Sequence, residues 1–392
     1  MATARSSRWI RRFLVVGASF LVLAQGVSLI GGPRAVIVVC GLYGFVLTTV
    51  FGKAYALLPS YFDRDLAFER APRIQLPLVA VGVGAIALAR WADGPPILER
   101  IGVLVWIAGV VVFLGTIAAT IYDNPTGAAT GTGGAAAARE PLDRLANAFV
   151  PVAVGYLLVG VYELAASVTP FPTVFDGLGV RIAHLFGPGF AVLVLFAVGY
   201  RLLPRFLSVS ASRRPAVVVL PAGAVAPALL AAGYPSGLLF RIGAVLESIA
   251  IVGFALSVVS LHWRSDRDRF GLYGPLAGTL LGCLGVGLGL LFAFEGFTAE
   301  VSLVHLQLNI FGLLGVTIAG VAYQFYPPAV AAWPGAGDRL AFWSLAGLVV
   351  GLLVVASTPL IDGPTRVLGH GLTTLSAVSY CYVLLATIRS NT

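Results

Sequence analysis

Four histidines stand in a chain of 392 residues, and two of them, His184 and His305, fall near the start of long apolar runs. An imidazole at such a depth is a ligand for haem iron or copper. It serves equally as a hydrogen-bonded structural residue, and composition leaves both readings open. Gln307 follows His305 by two residues. His262, followed by Trp263 and Arg264, and His370 stand at run ends and read as interface residues. Ionisable groups within apolar runs are costly, so each is a functional candidate. Glu163 and Glu295 take matching places near run ends, with Gln25 as a counterpart. Glu247 lies deeper, after Arg241, and is either a proton-relay group or a carboxyl held by a neighbouring helix. Cys40, Cys283 and Cys381 lie far apart inside apolar runs. No spacing suggests zinc or an iron–sulfur cluster.

The elements that must position these groups are apolar helices. The chain is 58% hydrophobic and 11% charged, where a soluble domain carries roughly a quarter charged residues. Runs of about 20 apolar residues recur along its length, each able to cross a hydrocarbon core. The short alternating segments of a membrane barrel are absent. The expected fold is an all-α integral membrane protein with spans at 13–31, 35–58, 74–92, 101–122, 146–168, 180–204, 215–233, 238–262, 272–296, 301–326, 340–358 and 367–388. RSSRWIRR and its apolar run read as a retained first helix rather than a cleaved leader. The stretch 123–145, with GAATGTGGAAAA, lacks the lysine and preceding strand of a phosphate loop and reads as a flexible cytoplasmic linker.

A spacing G-x7-[GA]-x2-Y-x3-P occurs three times: Gly44, Gly52, Tyr55 and Pro59; Gly189, Ala197, Tyr200 and Pro204; Gly312, Gly320, Tyr323 and Pro327. These fall on spans 2, 6 and 10. They divide the single membrane domain, 1–392, into three expected pseudo-symmetric four-helix units, 13–122, 146–262 and 272–388. Glycines two turns apart favour close helix packing, and the tyrosines suit a membrane interface. An even number of spans puts both termini on one side. Most of the 25 lysines and arginines fall on the terminal side, which predicts a multi-pass cell-membrane protein with both termini cytoplasmic. This distribution, in short loops on one face, argues against a nucleic-acid partner despite the net charge of +8.

VHLQLNIFGLLGVTIAGVAYQFYPP and AHLFGPGFAVLVLFAVGYRLLPR resemble helices 10 and 6 of subunit I of the haem–copper oxidases, above all the cbb-type oxidases and nitric oxide reductases. The resemblance implies twelve spans in three four-helix units. It matches His305 to the axial ligand of the active-site haem and His184 to a copper ligand. It puts Gln307 where the low-spin haem ligand belongs. Span 2 has no histidine, and span 7, PAVVVLPAGAVAPALLAAG, lacks the other copper histidines. The implied cofactor set is therefore one haem on His305, without low-spin haem or copper. Oxygen reduction needs a second metal and an electron input, so the implied protein is a non-oxidase, with a redox, sensing or stress role. Two alternatives stay open: a cofactor-free accessory or assembly component of a respiratory complex, whose subunits and the membrane lipids would be its partners, and a small-molecule transporter.

Overall fold

In the computed structural model, residues 2–91, 94–361 and 363–390 are described, without the side chains of residues 2–7 and of Ala135. Among the described residues, regular structure is entirely helical, and twelve helices are long and apolar enough to cross a membrane. They are α1 (Arg8–Leu29), α2 (Arg34–Tyr61), α3 (Ala71–Trp91), α4 (Pro96–Ile121), α5 (Ala136–Ala166), α6 (Gly179–Phe206), α7 (Arg213–Gly233), α8 (Leu238–Trp263), α9 (Phe270–Glu295), α10 (Ala299–Phe325), α11 (Asp338–Ala356) and α12 (Thr365–Ser390). Their ends follow local chemistry. The Ser212 hydroxyl accepts from the Arg214 N–H ahead of α7, and Thr298 accepts from Val301 at the start of α10, satisfying donors that lack helical partners.

The chain forms two compact units. Residues 1–13 and 50–266 make the first, and residues 14–49 and 267–392 the second. The third expected four-helix set lies in the second unit, the second set lies in the first unit, and the first set is divided between them.

Local structure, as well as sequence, recurs on the three motif-bearing helices. α2 is π-helical over Val39–Leu47, α6 over Leu185–Val192 and α10 over Leu308–Val316. Each π segment spans the first motif glycine. A Cβ at that glycine would meet a side chain of the preceding helix: 2.5 Å from Phe20 at Gly44, 2.7 Å from Tyr156 at Gly189 and 3.0 Å from Leu281 at Gly312. π turns concentrate at functional sites because the extra residue re-aims the side chains on either side. In α6, His184 is the last residue before the π segment. In α10, Gln307 holds that place, with His305 just ahead of it.

The motif tyrosines are buried within the protein. The Tyr200 hydroxyl lies 3.1 Å from Ser257 Oγ of α8, that of Tyr323 lies 2.7 Å from Ser344 Oγ of α11, and the Tyr55 ring packs edge-on against Phe113. A phenol inside a bundle needs such a partner, and the serines supply it in two of the three helices.

The stretch read as a linker is heavily fastened. Arg201, 3% exposed, donates to the Tyr61 carbonyl at 2.7 Å, to Asn147 Oδ1 at 2.6 Å and to the Thr130 carbonyl at 3.0 Å. Its guanidinium stacks 4.0 Å from the centre of the Tyr61 ring. Arg205 pairs with Asp143 at 2.6 Å, and the same carboxylate accepts from the Thr132 hydroxyl. The Asn124 amide ties the Phe62 and Ala129 carbonyls together. A buried guanidinium is tolerated when it is paired and hydrogen-bonded, and with its Nε 3.6 Å from Asp143 Oδ1 Arg201 fixes the loop onto the ends of α2 and α6.

Candidate functional site

His305 is held by a neighbouring helix. α9 carries Gly274, Gly278, Gly282, Gly285 and Gly289 along the face it turns to α10. The missing side chains let the backbones approach: a Cβ at Gly274 would lie 2.6 Å from the Gly320 Cα. At the far end of this seam the His305 Nδ1 lies 2.9 Å from the Gly285 carbonyl oxygen. A carbonyl only accepts, so Nδ1 carries the proton and Nε2 is the lone-pair nitrogen. The ring stands edge-on to Phe292, with centroids 5.3 Å apart, and Asn309 donates to the His305 carbonyl at 2.7 Å. Metal-bound histidines characteristically donate their second nitrogen in this way, which fixes ring and tautomer. The chemistry of this donor fits an axial haem ligand.

Gln307 does not fit one. It is wholly buried, and its Nε2 donates to Ser28 Oγ of α1 at 3.0 Å, while Ser28 donates to the Ala24 carbonyl. Nearby, Thr373 of α12 donates to Gln25 Oε1 at 2.7 Å. Side-chain amides and hydroxyls thus bond to one another where the resemblance implies a low-spin haem. Gln25 Nε2, Gln307 Oε1 and His370 Nδ1 meet no protein partner among the described residues. His370, in the second turn of α12, is only 1% exposed.

His184 is satisfied by its own helix: its Nδ1 donates to the Val180 carbonyl at 2.8 Å, and its ring leans toward Tyr234 with centroids 6.3 Å apart. No group of three or more His, Cys, Asp or Glu side chains among the described residues is arranged to hold a metal ion. The donors around His184 therefore do not fit copper, which needs several soft or imidazole ligands in fixed geometry. One turn earlier, Arg181 donates to the Ala231, Ala232 and Tyr234 carbonyls at the end of α7, where a cation offsets unpaired carbonyls.

The three carboxylates have three different settings. Glu163 is wholly buried and accepts from four consecutive backbone N–H groups, those of Val174, Phe175, Asp176 and Gly177, at 2.8 to 3.1 Å. It is a clamp for the loop between α5 and α6. Glu295 ends α9 in an exposed position. Glu247 is 6% exposed, and its Oε2 meets no partner among the described residues. Beside α8, Pro227 interrupts the α7 ladder, and the Tyr156 hydroxyl enters the gap. It donates to the Ala224 carbonyl at 2.5 Å and accepts from the Ala228 N–H at 3.2 Å, which re-satisfies groups that a proline leaves open.

The fold is that of a haem–copper oxidase subunit I. A chain from the cryo-electron microscopy structure of a haem–copper terminal oxidase dimer superimposes with a TM-score of 0.59 over 97% of this chain and 83% of that chain, at 12% sequence identity. No protein-family profile matches the sequence, and no curated protein matches it. At this identity the likeness is one of fold, and function has to be argued from the site.

Proposed function

We propose that this multi-pass membrane protein uses the subunit I fold without reducing oxygen and holds one haem through His305, in an electron-transfer, sensing or stress-response role. The observation that carries the reading is the His305 Nδ1–Gly285 bond, which poses the imidazole from outside its own helix with Nε2 as the coordinating nitrogen. A haem held there by His305 would supply an iron able to bind a small gas or to exchange an electron. The protein's part is to fix that imidazole by Gly285, to seat it against Phe292 and to close the seam beneath it with the glycines of α9. Reduction of oxygen has no support in the donor sets around Gln307 and His184. The arginine distribution supports placing both termini in the cytoplasm.

Purification of the full chain followed by an absorption spectrum tests this. The expected result is a Soret band that disappears in His305→Ala and persists in His184→Ala. A second reading, a cofactor-free component of a respiratory complex, is favoured by the Gln307–Ser28 bond, which fills one ligand position with a structural contact. It predicts no Soret band in the wild-type protein and co-purification with respiratory subunits.

A further inference from the structure

We propose that Glu247 is a proton-binding site within the first compact unit: a carboxyl group that α8 holds as the neutral acid against the proline break of α7, where it takes up and gives off one proton. The register of the two helices places it there. A Cβ at Gly243 would lie 2.9 Å from the Leu230 nitrogen, one at Gly223 would lie 3.5 Å from the Ala250 Cβ, and one at Gly253 would lie 2.8 Å from Val219 Cγ2. α8 therefore runs antiparallel to α7. Glu247, one turn from both Gly243 and Ala250, stands opposite Ala226 and Pro227. These two residues are buried, as Glu247 is.

An ionised carboxylate needs a cation or several donors to offset its lost hydration. Glu163 shows such a setting: it is wholly buried and has four backbone N–H donors. Glu247 Oε2 is buried too and meets no donor among the described residues. The facing helices bring no charge to it. α7 carries no ionisable side chain between Arg214, in its first turn, and its end at Gly233. On α6 the ionisable groups are His184 toward one end and Tyr200, Arg201 and Arg205 toward the other, while Phe196 between them packs against Gly223. On α8 itself Arg241 is exposed and His262 lies in the last turn. The Tyr156 phenol of α5 lies within electrostatic reach, and it is already committed to the Ala224 carbonyl and the Ala228 N–H. A neutral acid suits this place. It has an O–H to donate, and Pro227 has no N–H for the Gly223 carbonyl four residues before it. The site uses neither His305 nor its seam with α9, so it stands independently of haem binding.

Infrared difference spectroscopy of the full-length protein in phosphatidylcholine nanodiscs tests this, with the buffer stepped from neutral to alkaline. Exposed carboxylates such as Glu295 and Glu300 are ionised on both sides of the step and cancel. The wild type is expected to lose a neutral-carboxyl C=O band and to gain carboxylate bands, reversibly. The C=O band is also expected to shift in heavy water, because the proton exchanges. Glu247→Gln loses this signal, and Glu247→Asp keeps a neutral-carboxyl band. Glutamine has the size and neutrality of the acid, so that variant is expected to fold, and circular dichroism verifies it. His305→Ala keeps the signal, which separates this result from the haem spectrum. A difference spectrum that is the same in wild type and Glu247→Gln overturns the proposal. So does a C=O band that survives both the alkaline step and heavy water unchanged.

Discussion

α6 and α10 share a motif, a π-helical segment and a histidine just ahead of that segment, yet they are held in opposite ways. In α6 the histidine turns back onto its own helix at Val180, and the far end is fixed by charge through Arg201, Arg205 and Asp143. In α10 the histidine is held by α9 at Gly285, and the helix is fixed by close backbone approach along a glycine seam. A bond to the i−4 carbonyl forms on any helix and poses the ring for nothing in particular. A bond across to a neighbouring glycine requires two helices to agree. The difference separates a histidine kept for local comfort from one kept in position.

The largest expected effect breaks the charge side of this comparison. Arg201→Ala removes three donated bonds, to the Tyr61 and Thr130 carbonyls and to Asn147 Oδ1, and one of the two cations beside the buried Asp143. Thermal unfolding in detergent is expected to show a loss of roughly 3 kcal/mol, against about 1 kcal/mol for Arg205→Ala, whose side chain is 30% exposed. Equal effects would mean that Arg201 is no more an anchor than its neighbour.

The next breaks the packing side. α6 carries Ala197 where α10 carries Gly320. Gly320→Ala puts a methyl 2.6 Å from Gly274 Cα and from the Gly271 carbonyl, and overpacking against backbone costs about 1–3 kcal/mol. The reciprocal Ala197→Gly costs about 1 kcal/mol through backbone freedom alone. If Gly320→Ala unfolds at the wild-type temperature, the seam does not hold α10.

The smallest effect sharpens the contrast inside α10. Gln307→Leu removes the bond to Ser28 and, with it, the unpartnered Oε1, so its stability is expected within about 1 kcal/mol of wild type. Its spectrum is expected to match that of the wild type as well. A changed Soret band in this variant would make Gln307 a ligand-shell residue rather than a structural one.

Much of the architecture is legible in the sequence, because long apolar runs admit few structures in a membrane. The motif glycines and prolines also marked the three helices that turn out to carry π segments. The π geometry itself was hidden, since no residue type demands it. The site was less legible. His305 stands out by type and frame, but its partner is the carbonyl of Gly285, and backbone groups leave no trace in residue identity. Glu163 looked like a membrane carboxylate of interest, and only the loop that folds over it reveals a clamp. His370 stands near the start of its span in the sequence, and only packing shows that it is buried. The glycine-rich stretch 123–145 looked like a tether because its fastener, Arg201, lies on a helix much later in the chain.

The central claim is that one imidazole of the subunit I framework still holds a haem while its counterpart on α6 does not. The most direct test is the reduced-minus-oxidised absorption spectrum of the purified wild-type chain beside His305→Ala and His184→Ala, with iron measured per chain. The account predicts about one iron per chain with a haem spectrum in the wild type and in His184→Ala, and neither in His305→Ala. A wild-type protein without haem, or a haem spectrum unchanged in His305→Ala, would contradict it.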